Sequence, residues 1–368
     1  MNSKTMTNEF KGIIRDKTLN LMNFKKLQNI QTINTFDVQE LIIDTCQNII
    51  PKVKSSTIIK LTIIDSGIKC LNEMELPNIQ ALDLRDNNES VVDELSGPYL
   101  NIKDLSLIKY TNLNLNNILK FKQLTKLRLA ICGLTNIQQL TEFLYLTDLD
   151  LQDNENIDIS PLKLMKQLNK LNLSGCYLKN INALQYLIQL KELNLEGNTG
   201  EKYAGIDINP LQYLKELEKL NLKCCLLIDV STLSYLSSLK ELNLASNKII
   251  YLKPLKDLKH LKQLDAQFNK ILDVQELQKH KNFRQFLLSG QKQCTQKEVT
   301  LASKIRSINQ SVTELRMIKQ KCIEHNSKND YKMKQVNRYL HQYTNNQYHS
   351  VAKVGSLFQK LIVDGCYQ

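Results

Sequence analysis

The stretch LNKLNLSGC, at residues 168–176, decides the fold of this chain. Leucines occupy its first, fourth and sixth positions, and the sequence LKELNLEGN repeats the pattern at residues 190–198, 22 residues later. Leu171 and Leu173 alternate with polar residues, which is the period of a strand that buries one face. We number the nine positions 1 to 9. The stretch predicts an internal repeat with one short strand in each copy.

The fourth-position residue recurs along most of the chain. Its members are Leu41, Leu61, Leu82, Leu105, Leu127, Leu149, Leu171, Leu193, Leu220, Leu242, Leu264 and Phe286. Their spacing is 20 to 23 residues, except for the 27 residues between Leu193 and Leu220. The long step adds five residues around Thr199 to Gly205, and it follows position 9. We therefore predict a loop on the rim of the repeat array at this point.

The two ends of the chain depart from the regular period. Leu19, Leu21 and Phe24 match the middle of the pattern, and the end of a solenoid needs a cap over its open core. We predict an N-terminal capping turn over residues 1–35, then a solenoid of about 12 repeats over residues 36–291. Residues 292–368 lack the period and predict a basic helical C-terminal region.

Position 9 and a proline mark where each repeat reverses direction. Asparagine side chains at position 9 are able to bond backbone groups of a bend, and they occur at Asn198, Asn247 and Asn269. Cysteine takes the same position at Cys46, Cys132, Cys176 and Cys225, which predicts buried structural thiols. Prolines suited to a first helical position stand before equivalent leucines at Pro161, Pro210 and Pro254.

The period, the asparagine and the proline together resemble the leucine-rich repeat of the 22-residue type. This type is found in the phosphatase-1 regulatory subunit and in bacterial internalins. The resemblance implies an α/β fold: a right-handed solenoid with a parallel concave sheet and short 3₁₀ or helical convex segments. About 13 strands at ~4.8 Å would make a sheet on the order of 60 Å long. The resemblance also suggests a regulatory scaffold, with a phosphatase-like partner implied by likeness alone.

The composition of the chain indicates where in the cell it is located and argues against a metal site. The chain has nine cysteines but no C-x-x-C pair, which argues against a zinc site and favours a reducing compartment. Residues 1–10 are polar, so we expect no secretory signal. No apolar run approaches the 18 residues of a membrane span. The expected location is the cytoplasm, with the nucleus as the alternative.

The candidate partner-binding residues flank the strand leucines, at positions 3 and 5. They are Lys126, Arg128, Asp148, Asp150, Lys170, Asn172, Glu192, Asn194, Lys219, Asn221, Glu241 and Asn243. Position 3 alternates in sign, so each charge is predicted to lie between two opposite ones, and the stacked amides at position 5 are predicted to bond along the ladder. One interpretation is a self-neutralising structural ladder, and the other is a polar wall that binds a protein.

A second possible footprint is apolar. Ile42, Ile64, Ile108 and Ile131 are predicted on or near the N-terminal half of the same wall. Exposed apolar residues in a row can mark a contact surface.

The C-terminal region supplies an alternative function. Residues 292–368 hold 13 Lys or Arg and 5 Asp or Glu, so they carry +8 of the net charge of +12. An amphipathic helix is predicted from an apolar stripe at Leu301, Ile305, Ile308, Val312, Leu315 and Cys322. Further helices are predicted around residues 333–343 and 351–362. The basic residues alternate with tyrosines, as in some nucleic-acid-binding segments, although core packing at helical spacing explains Tyr339 and Tyr343 more simply. The favoured role of the region is a C-terminal cap over the last repeat, near Phe286 and Leu288.

Signals for catalysis are poor. The five histidines are scattered, and the sequence has no nucleophile motif, glycine-rich phosphate loop or paired-histidine metal signature. We therefore expect a non-enzymatic scaffold, without cofactor or metal, that binds a protein partner through the concave face. The alternative is binding of nucleic acid or an acidic surface through the C-terminal helices.

Overall fold

The computed structural model describes residues 14–22, 37–45, 53–68, 70–71, 74–87, 90–200, 205–273, 277 and 284–291. Its strands are β1 (Ile14–Arg15), β2 (Thr18–Met22), β3 (Glu40–Asp44), β4 (Val53–Lys54), β5 (Lys60–Ile64), β6 (Met74–Glu75), β7 (Ala81–Asp83), β8 (Asp104–Ser106), β9 (Lys126–Arg128), β10 (Asp148–Asp150), β11 (Lys170–Asn172), β12 (Glu192–Asn194), β13 (Lys219–Asn221), β14 (Glu241–Asn243), β15 (Gln263–Asp265) and β16 (Gln285–Leu287). The predicted helices of residues 292–368, and Phe24 and Cys46, lie outside the described residues.

One long sheet holds all but two of these strands. In the described part of the chain it has 14 strands in sequence order, and β4 and β6 form a separate pair. Within the long sheet β1 alone pairs in antiparallel fashion, so 13 strands run parallel, as the repeat count predicted. Each repeat therefore contributes one strand, and each strand pairs with those of the neighbouring repeats.

The sheet keeps one register throughout, which aligns equivalent positions of successive repeats. Leu149 pairs with Leu171, and Leu171 pairs with Leu193. The five-residue insertion does not disturb this register, because Leu193 pairs directly with Leu220. The insertion is closed at its neck, where the Gly205 N–H donates to the Thr199 carbonyl over 2.9 Å.

The core lies between the sheet and a layer of short outer segments. Leu168, Leu171 and Leu173 are all buried, as the pattern predicted. One short helix, α1, spans Ser90–Glu94. The outer segments are 3₁₀ turns at Gly97–Asn101, Leu115–Ile118, Gln138–Glu142, Ser160–Leu164, Asn182–Tyr186, Asn209–Tyr213, Ser231–Tyr235 and Lys253–Leu255. The predicted prolines lie in the first two positions of their turns, where a missing N–H costs nothing.

Position 9 forms a buried column that ties each repeat to the one before it. The Asn198 amide donates to Leu173 O at 2.8 Å and to Leu195 O at 2.9 Å, and its Oδ1 accepts from Leu178 N. The Cys176 thiol donates to Leu151 O at 3.2 Å. The predicted structural role is thus confirmed, and the asparagine reaches one repeat further than the local bend that the sequence suggested.

Position 8 has a conformation that the leucine pattern did not reveal. In every repeat from β3 onward this residue has a positive φ, in the left-handed region that non-glycine residues rarely adopt. The residues are Thr45, Asp65, Asp86, Lys109, Ile131, Asp153, Gly175, Gly197, Cys224, Ser246, Phe268 and Gly290. A Cβ at Gly175 would meet the Asp153 carboxylate, so a larger residue there would displace that exposed side chain.

Candidate binding surface on the concave sheet

The concave surface is built by the three-residue strands themselves. The middle leucine of each strand points into the core, so the residues before and after it face the open side. A trough of about 680 Å³ follows β9 to β16 along this side. All twelve candidate residues line it, and Gln263, Asp265, Gln285 and Leu287 extend it beyond them. The fold therefore brings the predicted residues together on one continuous surface.

Position 3 forms separate ion pairs. Lys170 Nζ lies 3.1 Å from Glu192 Oε1, and Lys219 Nζ lies 3.3 Å from Glu241 Oε1. Glu192 and Lys219 occupy facing positions, yet the described residues contain no ion pair between them. The predicted alternation is present, and Lys170 lies between Asp148 and Glu192 as predicted, but it forms its ion pair with Glu192 alone. A lysine ammonium that closes on one carboxylate moves away from the other.

The hydrogen bond and charge of Glu192 raise the pKa of Lys170. Both side chains are partly solvated, so the pair contributes little to stability, roughly 0–1 kcal/mol. Its main effect is to fix where a positive and a negative group stand on the wall.

The first strands of the trough pair differently. Arg128 Nη1 lies 2.7 Å from Asp104 Oδ1, on the neighbouring strand and two residues before Ser106, which faces Arg128. The arginine thus takes the carboxylate that faces Lys126. Within the described part of the chain, Lys126 and Asp148 then form no ion pair. Because their charges are not paired within the described part of the chain, Lys126 and Asp148 are the position-3 residues of the trough that a ligand could pair with.

Position 5 uses its side-chain oxygens within its own strand. Asn194 Oδ1 accepts from Glu196 N at 3.1 Å, and Asn243 Oδ1 accepts from Ala245 N at 3.0 Å. The amides of Asn172 and Asn221 bond across strands to Gln152 Oε1 and Glu196 Oε2, and no bond joins two position-5 amides among the described residues. The Nδ2 groups of Asn194 and Asn243 have no acceptor among the described residues, so they provide hydrogen-bond donors on the wall.

Asp150 is a half-buried carboxylate on this wall. It accepts a hydrogen bond from Gln152 N at 3.0 Å. Burial is the largest influence and raises its pKa, against the opposing effects of the Gln152 N–H, Arg128 and Asn172. The described structure gives Asp150 no ion pair. It is a desolvated anion that a donor from a partner would stabilise.

A further pair at position 7 was missed from the sequence. Lys223 Nζ lies 2.9 Å from Glu196 Oε1, and Asn221 Nδ2 donates to Glu196 Oε2 at 3.0 Å. Position 7 lies on the same face as positions 3 and 5 by the two-residue period of a strand. Extending that period past the strand end would have identified both residues.

The predicted apolar footprint is interrupted. Ile64 and Ile108 stand at position 7, but Arg85 occupies that position in the repeat between them and pairs with Asp83 at 2.6 Å. Ile131 lies at position 8, on the rim, with a positive φ and a side chain 42% exposed. The isoleucines therefore do not form one continuous patch on the wall.

The described ranges show neither a metal site nor a membrane-spanning helix. No cluster of histidine, cysteine or acidic residues suited to a metal ion occurs among them. None of the helices described there has the length and apolar character needed to cross a bilayer.

Comparison with known proteins agrees with this geometry. The family model for leucine-rich repeats, in two copies, matches residues 237–279. Residues 237–279 are therefore similar to leucine-rich repeats. The match falls on the repeats of β14 and β15, which have asparagine at position 9 and the same strand length and register as the repeats before them. No curated protein sequence matches this chain.

Solved structures share the leucine-rich-repeat fold. A crystal structure of an internalin from Listeria monocytogenes has 22% sequence identity and a TM-score of 0.55, covering 67% of this chain and 71% of that one. Internalin C2 from the same organism has 29% identity and a TM-score of 0.44, covering 51% and 79%. A leucine-rich-repeat protein of Leptospira interrogans has 25% identity and a TM-score of 0.48, covering 67% and 58%. The predicted resemblance to leucine-rich repeats and internalins is confirmed at the level of fold.

Proposed function

We propose that this protein is a non-catalytic scaffold that binds a protein partner in the concave trough. Leucine-rich-repeat folds generally mediate protein–protein contacts, and the assignment to the trough is specific to this chain. The observation that carries it is the set of polar side chains held on 3-residue strands by buried leucines. Such a surface is organised before binding, which reduces the entropy that association costs.

The dimensions of the trough support a protein partner. It follows eight strands, β9 to β16, which at ~4.8 Å spacing extend over roughly 35 Å. Donors such as the Asn194 and Asn243 amides and acceptors such as Asp150 are distributed along it. A partner with mixed polar groups would satisfy them.

The charge balance supports a protein over a nucleic acid at this surface. The trough contains four basic side chains and five acidic ones. They are Lys126, Arg128, Lys170 and Lys219, against Asp148, Asp150, Glu192, Glu241 and Asp265. Nucleic-acid binding depends on an excess of cations that neutralise phosphates, and this wall has none.

A charge-swap experiment tests the proposal. The double variant Lys170→Glu with Glu192→Lys keeps an ion pair but reverses its direction on the wall. Affinity capture with quantitative mass spectrometry should detect a partner bound by the full-length wild type and lost, by at least tenfold, in the swap. The matched control is Lys240→Glu with Glu218→Lys, since that pair, 2.7 Å apart, lies outside the trough.

The outcomes separate the trough from other surfaces. Loss in the wall swap with retention in the control swap supports the proposal. Equal retention in both swaps would overturn it, provided circular dichroism gives the same spectrum and melting temperature for both variants.

Binding of nucleic acid or an acidic surface through residues 292–368 stays a prediction from charge, since those residues lie outside the described part of the chain. The phosphatase-like partner and the cytoplasmic or nuclear location also stay predictions. Binding of RNA at two salt concentrations tests the first, because phosphate contacts give a steep salt dependence.

A further inference from the structure

Five large apolar side chains are exposed on the outer side of three neighbouring repeats. They end or follow the 3₁₀ turns Gln138–Glu142, Ser160–Leu164 and Asn182–Tyr186, and successive turns of this series contact one another. Leu144 is 74% exposed, and the other four are between 48% and 59% exposed. We call these five side chains the outer apolar patch: Leu144, Tyr145, Leu164, Tyr186 and Ile188.

The repeat does not need apolar residues at these places. When the numbering continues past position 9, Leu144 and Ile188 both stand at position 21. Other repeats have polar residues at position 21, namely Lys122, Lys166, Ser237 and Lys259. The residues before the two apolar ones, Phe143 and Leu187, are buried and complete the core. Exposed apolar residues that the core does not require indicate a contact surface.

The charged groups around the outer apolar patch are mostly basic. The outer stretches 138–147, 160–169 and 182–191 contain three lysines and one carboxylate. They are Lys163, Lys166 and Lys191, against Glu142, and all four are exposed. Among the described residues none of the three lysines forms an ion pair. The patch therefore combines apolar side chains with positive charges that lack a counterion.

We propose that the outer apolar patch is a docking site for an anionic membrane surface, on which the protein lies peripherally. In such contacts apolar side chains enter the boundary between headgroups and acyl chains, while lysines attract the anionic headgroups. Tyrosine suits the same depth, because its ring is apolar and its hydroxyl is polar. All three kinds of side chain are present in the patch or beside it.

Charge argues against coverage of the patch by this same chain. A two-fold contact between copies would set the patch against itself, so its lysines would meet like charges with one glutamate from each copy to offset them. The C-terminal region, residues 292–368, carries +8, and residues 1–13 and 23–36 are also net positive. An anionic surface complements the lysines, and none of these occupants does.

Shape favours a bilayer over a helix of a protein partner. A helix docks its apolar face in a hydrophobic groove. The hollow beside Tyr186, of about 440 Å³, is lined mostly by polar residues and does not provide one. Leu144 instead projects as the most exposed large apolar side chain in the described part of the chain. A fluid surface closes around such side chains, and the concave trough on the other side of the repeats stays open to a partner.

A tryptophan reporter tests insertion directly, because the chain contains no tryptophan. Full-length Leu144→Trp is mixed with vesicles of phosphatidylcholine and about 30% phosphatidylserine. We expect its emission to shift to the blue and to be quenched by brominated lipid. The control is Leu272→Trp, at an exposed position outside the patch, which should show neither change. Vesicle binding without a blue shift at position 144, as the basic C-terminal region alone would give, would overturn the proposal. So would no binding, or equal shifts at both positions.

Sedimentation with the same vesicles tests the apolar side chains. Leu144→Ser with Ile188→Ser should weaken binding at least tenfold, and Ser237 shows that position 21 accepts serine. The matched control Ile131→Ser with Leu272→Ser removes the same two residue types from other exposed places and should change binding less than twofold. Equal binding by the two double variants, each with the wild-type melting temperature, would count against the patch.

A charge reversal tests the lysines. Lys163→Glu with Lys166→Glu should weaken binding to the phosphatidylserine vesicles at least tenfold. The control Lys179→Glu with Lys248→Glu makes the same change in net charge at two exposed lysines outside the patch. Equal losses would assign binding to net charge alone and overturn the proposal. Retention of the wild type on immobilised polyglutamate but not on vesicles would also overturn it, in favour of an acidic protein.

Discussion

Asn198 and Leu173 belong to successive repeats, and the Asn198 amide donates a 2.8 Å hydrogen bond to the Leu173 carbonyl. The bond is entirely buried and crosses the boundary between two turns. Asn154 makes the equivalent bond to Leu129 at 2.7 Å, and Asn247 makes it to Leu222 at 2.8 Å. The position-9 asparagines therefore join successive repeats by buried hydrogen bonds. The stability of a repeat fold depends on such contacts between neighbouring repeats.

Asn198→Ala should be strongly destabilising. It leaves the buried carbonyls of Leu173 and Leu195 and the N–H of Leu178 without this partner, at roughly 1–3 kcal/mol for an unsatisfied group. We expect a loss of about 2–4 kcal/mol in denaturant unfolding. The control is Asn194→Ala on the wall. Similar losses in both variants would contradict the distinction between buried and wall asparagines.

The wall ion pairs should matter little for stability. Glu192→Gln removes the partner of Lys170 and should change the free energy of unfolding by less than about 1 kcal/mol. Leu171→Ala, on the adjacent buried position, should cost about 2–5 kcal/mol. Chemical denaturation measures both. A large loss in Glu192→Gln would assign the position-3 charges a structural role.

Stability should depend on pH through Asp150. Burial raises its pKa above the usual 3.8, so the folded chain binds this proton more tightly than the unfolded chain. The contribution therefore becomes less favourable as pH rises from 3.8 through the raised folded value. Asp150→Asn should stabilise the protein at pH 7, while keeping an acceptor for Gln152 N. The gain should disappear near pH 3.5, as urea unfolding at the two pH values would measure, and a gain unchanged with pH would exclude this cause.

The cysteines should differ sharply in reactivity. Burial raises the pKa of Cys176 to about 11 and that of Cys225 to about 12, so few thiolates form at pH 8. Cys70 and Cys224 are half-exposed. Maleimide labelling followed by mass spectrometry should modify Cys224 within minutes and leave Cys176 and Cys225 unmodified until the chain unfolds. Equal labelling of Cys224 and Cys225 would show that the position-9 column opens readily.

Much of the fold was predictable because the core of every repeat is local. The leucine at position 4 predicted the strand, its buried face and its register in one repeat. Because the period is nearly constant, the same prediction applied to the other repeats. The insertion after Asn198 could be located because it lengthens one step without breaking the pattern.

The rest depends on contacts between repeats or on backbone conformation. Ile131 and Phe268 adopt the left-handed conformation at position 8 although nothing in a bulky side chain suggests it. Side-chain geometry decides that Lys170 pairs with Glu192 and that Arg128 pairs with Asp104.

The hydrogen bond from the Gly205 N–H to the Thr199 carbonyl holds the two ends of the insertion together. The 27-residue repeat is therefore a suitable insertion site in an otherwise continuous sheet. Because the chain leaves and returns at one point while Leu193 and Leu220 stay paired, added residues at 201–204 need not alter the sheet. A fluorescent or affinity module inserted there would report on the intact protein without occupying the trough. Because the strand pairing does not depend on the insertion, such a repeat would also gain new sequence during evolution while its neighbours keep their spacing.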